Sequence, residues 1–185
     1  MQAGFLPWTG DPDADRLLAE NSFALLVGML LDQQFPMERA FYGPFLLQQR
    51  LGVPLDPHDI AAMDPTDLQL SFRGPPAVHR FPGAFAKRTQ EVARFVVEHY
   101  DGDTARLWTA ARSGQELYER LRELPGFGEA KARIFVGVVG KRLGLGPPGW
   151  EEVAADWPSI ADVAQWEDVF TLRQQKREAR AAKKD

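Results

Sequence analysis

Apolar residues recur along the chain at the three- and four-residue spacing of amphipathic helices, and no alternating run is long enough to predict a strand. The longest apolar run covers residues 23–31, and it predicts a buried helix whose N-cap is Asn21 or Ser22. A second helix is predicted over about residues 37–50. The pattern therefore predicts an all-α protein.

Prolines and glycines divide the rest of the chain into further helices. Short helices are expected after Pro57 and after Pro65, because proline suits the first turn of a helix. Residues 73–83 contain five prolines and glycines, and this segment is the best candidate for a crossing between two lobes. Three more helices are predicted beyond it, over about residues 84–100, 104–111 and 115–122.

Composition narrows the class of protein. The 185 residues carry a formal net charge of −4, and 44% of them are hydrophobic, as in folded globular proteins. The absence of cysteine excludes disulfides, thiolate zinc sites, cysteine nucleophiles and cysteine-held iron–sulfur clusters. No apolar run approaches the roughly 20 residues of a membrane-spanning helix, and residues 1–10 lack a signal-peptide pattern. We therefore expect a cytoplasmic protein without a membrane partner.

Charge is segregated along the chain. Residues 120–144 contain six basic and two acidic residues, whereas residues 150–170 contain six acidic residues and no Lys or Arg. The last fifteen residues are again basic, which favours a solvated helix, with weak nonspecific attraction to DNA as the second interpretation. Segregated basic stretches allow a polyanionic partner in spite of the acidic total.

The strongest chemical signal lies in residues 121–136. A helix ends before the sequence Leu-Pro-Gly-Phe-Gly of residues 124–128, and an apolar helix begins after it. The glycines allow backbone angles that side chains forbid, so that successive N–H groups can point outward at the start of the second helix. Together with the helix dipole, these groups can bind a phosphate and fix a protein on DNA. A simple tight turn between two packed helices is the alternative.

This Leu-Pro-Gly-Phe-Gly-x-x-x-Ala pattern resembles the hairpin of the helix-hairpin-helix (HhH-GPD) DNA glycosylases, the superfamily that includes endonuclease III. Residues 23–34 end in Asp-Gln-Gln and resemble the family's early helix, which commonly ends in Ser-Gln-Gln or Ser-Ala-Gln. The segment with Lys87 and Arg88 resembles the family's basic helix, and residues 146–149 resemble its Gly/Pro-rich loop. The resemblance covers about residues 20–155.

The resemblance implies an all-helical fold of two lobes, formed by interleaved segments of residues 1–170, with a cleft between them and a basic C-terminal helix or tail over 171–185. It also implies base excision repair, in which a damaged or mismatched base is flipped out of double-stranded DNA and removed. The expected partner is such DNA, bound by a monomer that in a bacterial cell would be associated with the nucleoid. Gln34 is expected near the gap that the flipped base leaves.

The predicted DNA contacts cluster at the hairpin and in the segments that resemble the family's DNA-facing helices. The DNA-binding residues that we predict are Gln34, Arg80, Lys87, Arg88, Leu124, Pro125, Gly126, Phe127, Gly128 and Lys131. The resemblance also implies that hairpin carbonyls bind a monovalent cation. No other cofactor is expected.

The catalytic carboxylate departs from the family pattern. The family's Asp follows the Gly/Pro-rich loop, where this chain has Trp150, Glu151 and Glu152. Glycosidic cleavage generally needs a carboxylate that faces an oxocarbenium-like centre. Glu151 and Glu152 are therefore the candidate catalytic residues, with a solvated acidic face as the alternative. Asp156 is the nearest Asp and stands several residues too late.

The family's lyase lysine is also absent from its position. It stands two residues after the second hairpin glycine, where this chain has Ala130, and Lys131 lies one residue later, about 100° further around the helix. The sequence thus predicts a DNA N-glycosylase without lyase activity. Two alternatives stay open: a catalytically inactive relative that binds damaged DNA, and a helical interaction module whose hairpin only supports packing.

Overall fold

The protein is all-helical, as the sequence predicts. The computed structural model describes residues 6–184, and within them eleven α-helices, a π-helical segment (Val138–Arg142) and a 3-10 turn (Ile160–Asp162) occur without any strand. The α-helices are α1 (Pro12–Glu20), α2 (Ser22–Leu31), α3 (Met37–Leu51), α4 (Pro57–Ala62), α5 (Pro65–Arg73), α6 (Pro82–Tyr100), α7 (Arg106–Thr109), α8 (Gly114–Glu123), α9 (Glu129–Gly137), α10 (Trp150–Val153) and α11 (Trp166–Ala182).

Two predicted segments extend past the described part of the chain. Residues 1–5 of the predicted helical region and residue 185 of the predicted tail lie outside it. Between these limits, none of the helices combines the length and the apolar character needed to cross a bilayer.

Local signals set most of the helix ends. Asn21 caps α2, because its Oδ1 accepts the Ala24 N–H at 2.9 Å while its Nδ2 donates to the Leu55 carbonyl at 2.9 Å. The prolines of the predicted short helices do open α4 and α5. Helix α1 was not predicted, although its N-cap aspartate and the proline that follows are ordinary start signals.

Helix α2 lies at the centre of the core. Every residue of α2 after Ser22 is buried, as the apolar run predicts. Helices α1 and α3 pack against α2, α4 and α5 pack against α6, and α8, α9 and α10 form a third packed group. One apolar cluster runs through all three groups, from Leu6 to Leu172. The two-lobed cleft stays a prediction.

The segment rich in proline and glycine forms a packed loop over residues 74–81. Val78 and His79 are buried in it. The guanidinium of Arg50 donates to the Ser71 carbonyl at 2.7 Å and also to the Pro76 carbonyl. Arg50 of α3 therefore holds the loop to the end of α5, and the loop leads directly into α6.

The basic C-terminal residues continue a longer helix. Helix α11 begins at Trp166 and has 17 residues, so the predicted boundary at residue 171 falls inside it. Val169 and Leu172 are buried, and Arg173 forms an ion pair with Glu38 of α3. The first half of α11 is thus docked on the body of the protein, while most of its later side chains are exposed.

Candidate nucleic-acid interface

The predicted hairpin is present as a tight turn between α8 and α9. Gly126 has a φ of +81°, in the left-handed region that favours glycine, and Gly128 is the N-cap of α9. A Cβ at Gly126 would lie 2.8 Å from Cδ1 of Leu30. The side chains of Leu124 and Phe127 are buried and fix the turn to the core, whereas Pro125 is partly exposed and Gly126 and Gly128 are exposed.

The turn offers backbone donors. Gly128 has no side chain with which to cap α9, in contrast to the Ser113 hydroxyl at the start of α8. Among residues 6–184, no protein group accepts the N–H of Gly126 or of Gly128. The first N–H groups of α9 also lack intrahelical partners, as in any helix, and the helix dipole makes this end positive. The turn therefore suits an anion such as a phosphate.

A cavity of about 400 Å³, here called the hairpin cavity, lies against this turn. It is lined by Gln33, Arg88 and Glu91 together with residues of the turn. The Arg88 guanidinium lies 5.1 Å from the centre of the Phe85 ring. Lys87 is exposed and lies outside this lining, 4.0 Å from Glu91. The structure thus brings Arg88 to the hairpin.

A larger cavity, of about 790 Å³, is lined by Gln34 and is here called the Gln34 cavity. Gln34 is exposed and has a φ of +53°, a left-handed conformation that costs a residue other than glycine about 1 kcal/mol or more. Besides Asp32 and Arg80, four basic residues of α11 line the cavity: Arg173, Lys176, Arg177 and Arg180. The predicted residues Gln34 and Arg80 therefore meet in one place.

Most of the basic side chains that line the Gln34 cavity come from α11. Arg173 is paired with Glu38, whereas Lys176, Arg177 and Arg180 form no ion pair with any residue from 6 to 184. A row of cations on one helix face is the usual electrostatic signature of contact with a nucleic-acid backbone. The basic C-terminal residues, predicted to form a solvated helix, thus line the candidate site.

Much of the basic stretch 120–144 is occupied within the protein. Arg120 donates to the carbonyls of Arg106 and Ala110 at 3.0 and 3.1 Å. The Lys141 ammonium lies 2.5 Å from the Asp162 carboxylate. These basic side chains therefore stabilise helix ends and loops within the protein. The high charge of residues 120–144 does not by itself show that this stretch binds DNA.

Lys131 is turned inward. Its Nζ donates to the Leu30 carbonyl at 2.9 Å and lies 5.6 Å from the centre of the Phe127 ring. The pKa of Lys131 is lowered to about 8, mainly by burial; the charge of Asp32 opposes this shift and that of Arg88 adds to it. Lys131 thus ties α9 to the end of α2. Its contact with DNA stays a prediction.

His79 supports the backbone beside Gln34. The Phe81 N–H donates to Nδ1 at 3.0 Å, so the ring proton is on Nε2, which donates to the Gln33 carbonyl at 3.0 Å. Burial lowers the pKa of His79, and its ring packs 3.6 Å from the centre of the Phe85 ring. A neutral imidazole therefore holds the segment that separates the two cavities.

Glu151 and Glu152 lie elsewhere. Both are exposed on α10, whose first residue, Trp150, packs against Gly114 and Gly140. Because α8 has ten residues and rises about 15 Å, Trp150 is at the end of the hairpin opposite to the turn. The other end of α10 lies beside Arg133 of α9, which donates to the Val153 carbonyl at 3.2 Å. Neither glutamate lines the Gln34 cavity. The carboxylates that line the Gln34 cavity come from other positions.

Asp32 is one of these carboxylates, and sequence reasoning missed it. It follows α2 directly and is partly buried. Within residues 6–184 its carboxylate has neither a hydrogen bond nor an ion pair. Burial raises the pKa of Asp32, while the charges of Lys176 and Lys131 oppose the shift. The only signal in the sequence was an Asp where the family commonly has Ser before the glutamine.

A monovalent cation at the hairpin would need backbone carbonyl ligands. The Leu124 carbonyl already accepts the Phe127 N–H at 3.2 Å, and the guanidinium of Arg88 lines the same cavity. Carbonyl oxygens suit such a cation, whereas the charge of Arg88 opposes it. The cation stays a prediction.

Comparisons of the chain with protein-family models, with curated proteins and with solved structures returned no match. The relation to the HhH-GPD superfamily therefore remains a resemblance, carried by the hairpin and by α2, which ends at Leu31, before the Asp-Gln-Gln of residues 32–34. The fold joins these two motifs in space, since Leu30 of that helix contacts both Gly126 and Lys131 of the hairpin.

Proposed function

We propose that the protein binds double-stranded DNA through its hairpin turn and the basic face of α11, and that it removes a damaged or mismatched base as an N-glycosylase without lyase activity. The observation that carries the proposal is the turn itself. Backbone N–H groups of Gly126 and Gly128 have no acceptor within the described chain, and Arg88 lines the same cavity. This set of donors suits a DNA phosphate.

The Gln34 cavity supports the second half of the proposal. Its volume of about 790 Å³ is in the range of ligand pockets, which run to roughly 1,000 Å³, and can hold a flipped nucleotide. Gln34 is exposed at this cavity in a backbone conformation that costs energy, a feature that clusters at functional sites. It is therefore suited to enter the gap that a flipped base leaves.

The absence of lyase activity is proposed on the position of the lysine. Lyase chemistry in the family requires an amine that reaches the sugar. Ala130 has none, and the Lys131 ammonium is partly buried and donates to the Leu30 carbonyl. Without an amine to attack the sugar, we expect the base to be removed by hydrolysis.

A catalytically inactive DNA-binding protein is the second candidate function, and one observation favours it. The predicted catalytic residues Glu151 and Glu152 are exposed on α10 and do not line the Gln34 cavity. If no other carboxylate takes their role, binding without cleavage is the expected behaviour.

Binding and cleavage are tested together in a single-turnover assay. Excess protein is incubated with duplexes that carry a panel of damaged or mismatched bases, and abasic sites are measured beside affinity at several salt concentrations. We expect abasic sites on at least one duplex. Tight, salt-dependent binding without abasic sites would favour the inactive binder, and no salt-dependent binding at all would contradict both functions.

Arg88→Ala tests the interface. We expect weaker binding of every duplex and a reduction of about 1 in the slope of log affinity against log salt, because one phosphate contact is lost. Arg94→Ala is the matched control, since Arg94 is exposed on the same helix, outside the lining of the hairpin cavity. Equal slopes for wild type and Arg88→Ala would show that Arg88 does not contact a phosphate.

A further inference from the structure

We propose that Asp32 is the catalytic carboxylate of this glycosylase, an inference that rests on the proposed function. The chain lacks the family's Asp after the Gly/Pro-rich loop, and the two glutamates found there are exposed and do not line the Gln34 cavity. Asp32 lines that cavity. The chain therefore has a carboxylate at the candidate pocket, but not at the position where the family has its Asp.

The lack of a partner sets Asp32 apart from carboxylates with structural roles. Asp15 is buried and accepts from Thr9 N–H, from Thr9 Oγ1 and from Trp8 N–H. Asp32 has no such donors among residues 6–184, and its oxygens keep contact with solvent at the cavity. A carboxylate that acts on a substrate must keep its oxygens free, and Asp32 does so.

The charges around Asp32 favour its ionised form. Lys176 of α11 and Lys131 of α9 both act on it with positive charge. Glu38 of α3 opposes them, but Glu38 is itself paired with Arg173. The remaining charged groups that line the cavity are also cations: Arg80, Arg177 and Arg180. These positive charges oppose the rise that burial causes in the pKa of Asp32, and they stabilise its carboxylate form.

Asp32 stands at the right distance from Gln34. The two residues are two positions apart, so their Cα atoms are at most about 7 Å apart. A flipped nucleotide remains attached to the backbone on both sides of the gap, so that its sugar stays next to the gap. If Gln34 fills the gap, Asp32 lies close enough to face the sugar C1′.

The reaction follows from this position. The bond between C1′ and the base nitrogen breaks, its electron pair leaves with the base, and the sugar becomes an oxocarbenium ion that the Asp32 carboxylate stabilises. A water oxygen then bonds to C1′ and transfers one proton to Asp32. That proton passes to the nitrogen of the departing base. The products are an abasic sugar with a hydroxyl group on C1′ and the free base.

The test compares Asp32→Asn with wild type in the single-turnover assay, on the duplexes that wild type cleaves. We expect a fall of at least about 100-fold in the rate of abasic-site formation, unchanged affinity for the duplex and undiminished thermal stability. Asp156→Asn is the matched control, because Asp156 is exposed and lies 3.5 Å from Arg133, outside the Gln34 cavity. It should cleave like wild type.

A pH profile separates catalysis from a structural effect. The wild-type rate should rise with pH as Asp32 ionises, Asp32→Glu should keep a slower, pH-dependent rate, and Asp32→Asn should lose that dependence. Retention of the wild-type rate in Asp32→Asn would overturn the inference and leave the proposed function standing, above all if Glu151→Gln or Glu152→Gln were inactive. Absence of cleavage by wild type on every duplex would overturn both.

Discussion

Removal of the charge of Lys131 should change the way in which stability depends on pH. The perturbation is Lys131→Met, which keeps an unbranched side chain and removes the ammonium. Burial lowers the pKa of Lys131 to about 8 from its ordinary 10.5. Between these two values the unfolded chain binds a proton that the folded chain lacks, so the free energy of unfolding contributed by this group rises with pH.

The magnitude follows from the two pKa values. Their difference corresponds to at most about 3 kcal/mol in the free energy of unfolding. Below pH 8, Lys131 is charged in both states and the folded protein is less stable by this amount. Above pH 10.5, Lys131 is neutral in both states and the loss is absent. The hydrogen bond from Nζ to the Leu30 carbonyl favours the ammonium form and reduces this value. We expect a gain of roughly 1–2 kcal/mol between pH 7.5 and pH 10.

The assay is urea unfolding of wild type and variants at several values of pH between 7 and 10.5. Other groups titrate in the same way in both proteins. The difference between the wild-type and Lys131→Met curves of unfolding free energy against pH therefore gives the contribution of Lys131. Lys87→Met is the control, because that side chain is 77% exposed, and its curve should run parallel to that of the wild type. Parallel curves for wild type and Lys131→Met would refute the inward position of the ammonium.

Two further predictions concern α11 and the packing of Trp150. The double variant Lys176→Ala/Arg177→Ala should have a slope of log affinity against log salt that is lower by about 2, as measured by DNA titrations at several salt concentrations. Its melting temperature should be unchanged. A slope equal to that of the wild type would exclude α11 from the interface. Gly140→Ala should cost about 1–3 kcal/mol in urea unfolding, because the new Cβ would lie 2.3 Å from the Trp150 ring. Gly83→Ala, which meets no atom within 4 Å, is its control and should be neutral or slightly stabilising.

Features that cost stability meet at the Gln34 cavity. Gln34 has a left-handed backbone, and the partly buried carboxylate of Asp32 has no partner among residues 6–184. Natural proteins retain such features mainly where function requires them. Their occurrence on neighbouring residues therefore supports the choice of this cavity as the site to test first.

Local signals in the sequence were sufficient for most of the helices and for the hairpin. The fully apolar run of α2, its Asn21 cap, the prolines that open α4 and α5, and the glycine at 126 act on residues a few positions away. Periodicity, caps and backbone preferences depend on such neighbours, so they can be predicted without knowledge of the rest of the fold. The all-α class follows from them directly.

The composition of the candidate site depended on contacts between distant parts of the chain. Lys131 donates to a carbonyl 101 residues away, and Arg173 pairs with a glutamate 135 residues away. The first contact turns inward a lysine that was predicted to bind DNA, and the second docks α11 beside the Gln34 cavity. No spacing along the sequence encodes such contacts, because they form only when the helices pack. For the same reason only the tertiary structure put Asp32 at the candidate pocket and left Glu151 and Glu152 outside it.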